Sequence, residues 1–128
     1  MRLKLGKLFL SLIFLFVIIS FVSANTVSVV PSIINANVGG NFLVNVYANT
    51  STSNLFSLQF DLNYNPSVLT LNSVTEGNFL KSDGATTIFN YSSIGGGLVR
   101  GVYDARNKTF ADAIPGINGN GSIAILNF

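Results

Sequence analysis

The chain has 128 residues, 48% of them hydrophobic and only 9% charged, with a formal net charge of +2 and neither histidine nor cysteine. That composition removes the commonest general base, thiolate chemistry and the usual zinc ligands, and it rules out a disulfide framework. The positive charge is also local, because three of the seven basic residues (Arg2, Lys4 and Lys7) stand in the first seven positions.

The N-terminus reads as a secretory signal peptide. The basic start is followed by an uninterrupted apolar run, Leu8 to Val22, and then by small residues at Ser23 and Ala24. This order of segments is the export signature, with cleavage expected after Ala24. The apolar run is 15 residues long, short of the roughly 20 that a bilayer span needs. Membrane attachment is expected only if the segment stays uncleaved. The expected division is therefore 1–24 as signal peptide and 25–128 as one domain, secreted or held at the cell surface. Four basic residues (Lys81, Arg100, Arg106, Lys108) and five acids (Asp61, Glu76, Asp83, Asp104, Asp112) remain after cleavage, a net charge of −1. No basic patch survives, so nucleic acid is not an expected partner.

From Asn25 onward the hydrophobic pattern has period 2 and no helical stretch. Thr26 to Pro31 is a short strand stopped by proline, and Asn37 to Gly40 a turn. Asn41 to Ala48 alternates, with Phe42, Val44, Val46 and Ala48 on one face; Asn49 to Asn54 reads as a polar loop. The cleanest alternation follows. Phe56, Leu58, Phe60, Leu62 and Tyr64 share one face, and Ser57, Gln59, Asp61 and Asn63 the other. Such a strand has one buried and one wet face. Burial of each apolar side chain contributes about 1.5–3 kcal/mol before entropy is counted, which makes this strand a principal core element. Asn65-Pro66 stops it, because proline cannot donate to a ladder. Val68 to Val74 is expected to run back, with Leu69 and Leu71 inward, and to end at Gly77. Thr86 to Ser92, Leu98 to Asp104 and Ser122 to Phe128 complete seven strands, with a turn at Gly95 to Gly97 and a long loop over Ala105 to Gly121. Seven short strands with turns between them predict an all-β, antiparallel sandwich.

Little chemistry is available on this frame. The five acids are scattered, with no spacing that suggests paired carboxylates for glycoside hydrolysis. Asp104 and Asp112, with Asn107 and Asn118, offer oxygen ligands around the long loop, but not in the order of an EF-hand. Asn118 to Gly121 is a turn signal and no phosphate cradle. A sugar-binding platform would need exposed aromatics; there is no tryptophan, Tyr64 falls on the apolar face, and only Tyr47, Tyr91 and Tyr103 in one row would serve. Asn-x-Ser/Thr sequons stand at Asn49, Asn90, Asn107 and Asn120, candidate glycosylation sites on exposed loops and strand ends. What remains is the flat polar face Ser57, Gln59, Asp61 and Asn63, which suits a protein contact or plain solvation.

The order of motifs resembles a cohesin domain. The resemblance rests on the turn at Gly39, Tyr64-Asn65-Pro66 at the end of a strand, Val68-Leu69, the bend Gly77-Asn78-Phe79-Leu80, and the late strand Gly121-Ser122-Ile123-Ala124. It implies a jelly-roll sandwich and a non-catalytic module that holds a dockerin-like domain in extracellular polysaccharide-degrading or cell-surface assemblies. It implies no cofactor in this chain, since calcium is expected on the dockerin partner, and no metal site or catalytic residue. It also implies two further strands, so the domain is expected to be truncated and to lack its last strands. Ser57 and Gln59 match positions that carry the family's contact as Asn and Asp. Here both are polar but uncharged. The alternatives are a carbohydrate-binding module that contacts polysaccharide directly, and a structural cell-surface domain.

Overall fold

A computed structural model describes residues 25–107 and 116–128. The expected signal peptide, Asp112 and the centre of the long loop lie outside the described residues. Eight strands are present and, among the described residues, no helix: β1 Thr26–Val30, β2 Leu43–Leu55, β3 Ser57–Asn63, β4 Ser73–Glu76, β5 Thr87–Asn90, β6 Ser93–Gly95, β7 Leu98–Arg106 and β8 Ile117–Asn127. They form two antiparallel sheets, one ordered β1-β2-β8-β4 and the other β3-β7-β5, with β6 also paired to β7. The chain is an all-β sandwich, as the period-2 pattern requires.

Two apolar clusters fill the space between the sheets. The larger centres on Val44, Val46, Val74, Val99, Val102, Ala124 and Leu126, and ends at Phe128. There the Phe128 ring stacks on Phe42 at 5.7 Å and meets Tyr64 edge-on at 5.3 Å. The smaller joins Ala48, Phe79, Leu80 and Ile123. Central strands β2, β7 and β8 supply most of the fully buried side chains.

Four expectations are corrected. Asn118 to Gly121 is not a turn ending a long loop but part of β8, which starts at Ile117 and pairs there with β2. β2 does not stop at Ala48 but continues through the polar run to Leu55. Asn49 and Thr50 stay in the ladder with β8: Thr50 is buried, and its hydroxyl donates to the Gly119 carbonyl and accepts from the Gly119 N–H. β3 keeps the expected alternation but not the expected depth. Leu58, Phe60 and Leu62 are half-buried, and Phe56 is exposed, because β3 is an edge strand with one neighbour. Finally, the segment after Asn65-Pro66 does not return beside β3. Asn65 closes a turn through its carbonyl to Leu69 N–H and its side chain to Ser67 N–H. The chain then crosses to the other sheet, where β4 is only four residues long and pairs with β8. Leu69 and Leu71 still pack against the core from this crossover.

The two long sides of the sandwich differ. At β4 and β5 the sheets are tied together. The Glu76 carboxylate on β4 accepts from the Thr87 hydroxyl on β5 and, at 2.6 Å, from Lys81 Nζ. Arg106 is buried on β7, where Nη1 donates to the Leu80 carbonyl at 2.6 Å and Nη2 to Asp83 Oδ2 at 2.7 Å. Gly77 lets the following loop lie on β8: its N–H donates to the Ile123 carbonyl at 2.7 Å, and a Cβ at Gly77 would collide with the Ser122 carbonyl. On the β1 side, Val27 and Val29 pair with inward-facing Ala48 and Val46, so they too turn inward. They nevertheless stay 54% and 48% exposed, since the described part of the opposite sheet ends at β3.

Candidate functional site

The outer face of β3-β7-β5 carries the β3 candidates Ser57, Gln59, Asp61 and Asn63. Registry across it is fixed by backbone pairing. Ser57, Ala105 and Ile88 form one row, and Gln59, Tyr103 and Asn90 the next. Side chains in such rows stand about 4.5–5.5 Å apart at Cβ and act as one patch. Ser57, Gln59, Asp61 and Asn63 are all exposed on this face, as the alternation predicts. The sheet sets beside them two residues the sequence reading left undecided or unmentioned. Ile88 is 50% exposed and Tyr103 38% exposed. A large apolar and an aromatic side chain in a polar surround are typical anchors of a protein contact. Their positions follow from the pairing of β5 and β7, which no local pattern reveals.

Asp61 has a second task. Its Oδ1 accepts from the Gly101 N–H at 2.6 Å, where the β3–β7 register shifts between Phe60 and Leu62. Gly101 has φ +59°, and a Cβ there would press on the Ser92 side chain. The glycine is thus a bulge residue, and Asp61 satisfies the N–H that the bulge removes from the ladder. Arg100, exposed just before the bulge, is the one cation on β7 that points outward; Arg106 points inward.

Other sequence candidates fall elsewhere. Asn49 and Asn120 face each other across β2 and β8, both exposed, and Asn120 Oδ1 accepts from the Tyr47 hydroxyl at 2.8 Å. Asn90 is exposed beside Tyr103 on the candidate face. Asn107 is half-buried at the end of β7, donating its N–H to the Thr86 carbonyl. Tyr47 lies on the β1-β2-β8-β4 sheet and Tyr103 on the other, so the three tyrosines do not form a row. Of the acids that could ligate calcium around the long loop, Asp104 has its side chain buried inside the sandwich, and Asp112 lies outside the described residues. Among the described residues no group of three or more acidic side chains could hold a metal ion.

The family model of the cohesin domain matches residues 27–128. The chain belongs to the cohesin family, a family of non-catalytic binding modules whose partners are dockerin domains. Neither the curated proteins nor the solved structures gave a match to this chain.

Proposed function

We propose that this chain is a secreted or cell-surface module that holds a dockerin-type domain on the outer face of β3-β7-β5, and that Ile88 and Tyr103 are its apolar anchors, with Ser57, Gln59, Asp61 and Asn63 as the polar flank. The observation that carries this reading is the exposed Ile88 and Tyr103 in adjacent rows beside the four polar residues of β3. The face is flat, weakly charged and well ordered by its ladder, which favours contact by shape and apolar anchoring over electrostatic steering. The calcium of the complex belongs to the partner; this chain supplies no cofactor. Extracellular assembly, whether for polysaccharide degradation or at the cell surface, is the setting that the family and the N-terminal export pattern suggest.

The test is titration of a calcium-loaded dockerin-type domain from the same organism into residues 25–128, followed calorimetrically. Tyr103→Ala and Ile88→Lys are each expected to weaken binding at least tenfold, about 1.4 kcal/mol or more. Gln59→Lys should weaken it less. Asp61→Asn is the right probe of charge at that position, because the amide oxygen can still accept from Gly101. Unchanged affinity in both Tyr103→Ala and Ile88→Lys would move the contact off this face.

A further inference from the structure

The interior of the sandwich holds a carboxylate that the docking reading does not use. Asp104 sits on β7 between Leu58 of β3 and Phe89 of β5. It is 1% exposed, and neither of its carboxylate oxygens has a side-chain hydrogen-bond donor. A buried, ionised and unpartnered carboxylate is costly enough that proteins avoid it. The side chain that lies within hydrogen-bonding reach of it is another carboxylate, Glu76 of β4. Two carboxylates can hydrogen-bond only when one of them carries a proton.

The charges around the pair identify the missing species. Glu76 comes from β4; Lys81 and Asp83 come from the loop that follows it; Arg106 shares β7 with Asp104; β5 contributes the Thr87 hydroxyl. The rung neighbours Leu58 and Phe89 bring no charge. With all five ionised the cluster holds three negative and two positive charges. Lys81 is engaged by Glu76 and Arg106 by Asp83, so a single proton makes the cluster neutral and gives Asp104 a bond to make.

We propose that Asp104 and Glu76 share one proton, and that this proton is the catch that holds the 77–86 loop and β5 against the sandwich, released as the surroundings turn alkaline. Glu76 is the centre of the catch, because the same carboxylate binds Lys81 of the loop and Thr87 of β5. Burial, reinforced by the Glu76 charge and opposed by Lys81, pushes the Asp104 carboxyl up to about 7. Glu76 moves the other way: burial disfavours its charge, but Lys81 and Thr87 outweigh that and hold it below its ordinary value. The acidic proton therefore resides on Asp104. Between its ordinary value of 3.8 and about 7 the folded chain binds one proton more than the unfolded chain. The contribution of Asp104 to stability falls as pH rises through that interval and levels off above it. A shift of about three units corresponds to at most about a thousand-fold in the folding equilibrium constant.

The experiment uses residues 25–128 without any partner, so its outcome does not depend on the docking reading. Carboxyl carbon NMR of the wild type should show Asp104 titrating near neutrality. Amide protection, corrected for intrinsic exchange, should drop at 77–90 by at least tenfold between pH 5.5 and 8.5, with the Val46 and Leu126 regions less affected. Asp104→Asn supplies a permanent donor to Glu76 and should abolish the drop. Titration of Asp104 near its ordinary value overturns the proposal, as does protection at 77–90 that is equal at the two pH values. Calcium at pH 8.5 should change neither reading; a calcium-dependent Asp104 shift would replace the shared proton by a bound cation. If Asp104→Asn does not fold, the wild-type titration and exchange decide alone.

Discussion

The two long sides of this sandwich use opposite means. On the β4/β5 side, charged and hydroxyl side chains cross from one sheet to the other: Glu76 reaches Thr87, and Arg106 on β7 reaches the loop at Leu80 and Asp83. On the β1/β3 side Val27 and Val29 face inward yet stay about half-exposed. The first side is closed by hydrogen bonds that need specific geometry and protonation. The second presents apolar surface and an unpaired β3 backbone, the kind of edge that pairs with another strand. Condition-dependent stability therefore belongs on the closed side, and sensitivity to added chain on the open one.

The strongest way to break the closed side is at Gly77. A methyl group there would occupy the space of the Ser122 carbonyl on β8, and backbone cannot yield as a side chain does. Gly77→Ala should cost at least about 3 kcal/mol, at the upper end of overpacking effects. Chemical denaturation would measure it; a loss below about 1 kcal/mol would mean that the loop does not lie on β8.

One rung of sheet then compares interior and open edge directly. Val29 and Val46 are paired across β1 and β2 and face the same way, yet Val29 is 48% exposed and Val46 2%. Val46→Ala should cost about 2 kcal/mol, and Val29→Ala less than about 0.5 kcal/mol. Any strand that comes to cover β1 should raise the Val29→Ala cost towards that of Val46→Ala. If Val29→Ala already costs as much in residues 25–128, the side is covered by self-association, and the cost should then depend on protein concentration.

Much of this was legible in the sequence, and the rest fails for identifiable reasons. Alternation at Phe56 to Tyr64 gave the faces of β3 correctly, because side-chain direction in a strand is local. It could not give depth, because that depends on whether a strand is central or at an edge. The run Asn49 to Asn54 looks like a loop by composition, yet Thr50 finds its partner in Gly119, 69 residues away. The strand after Pro66 was misplaced because Leu69 and Leu71 announce burial without saying against which sheet. The candidate face was half legible: the β3 residues show their alternation, whereas Ile88 and Tyr103 join them only through pairing. Asp104 could have been found by parity. Once Gly101 is taken as a bulge, Val102, Asp104 and Arg106 fall on one face, and that face is inside.

Arg106 is the next test of the closed side. Its side chain is 2% exposed while that of Asp83 is 49% exposed, so the pair is not a fully buried ion pair. The Arg106 guanidinium holds the Asp83 carboxyl below its ordinary value, which adds stability that is lost as pH falls through the acid range. Most of the value of Arg106 should instead come from the Leu80 carbonyl, which would be left without a donor. Arg106→Met keeps the apolar stem and should cost about 1–3 kcal/mol. High salt should barely change that cost; a large salt dependence would assign it to Asp83.

On the closed side the smallest expected stability effect is at Lys81, and it discriminates best between charge and packing there. Its side chain is 40% exposed and its bond to Glu76 is a surface ion pair, a type that contributes at most about 1 kcal/mol. Lys81→Met should therefore change the midpoint of unfolding little at pH 5. The same ammonium opposes the upward shift of Asp104, and its removal leaves the carboxyl pair with less positive charge nearby. The Asp104 midpoint should move up, so that the loss of protection at 77–90 begins at higher pH in the variant than in the wild type. A packing role for Lys81 would lower stability equally at every pH and leave that midpoint in place.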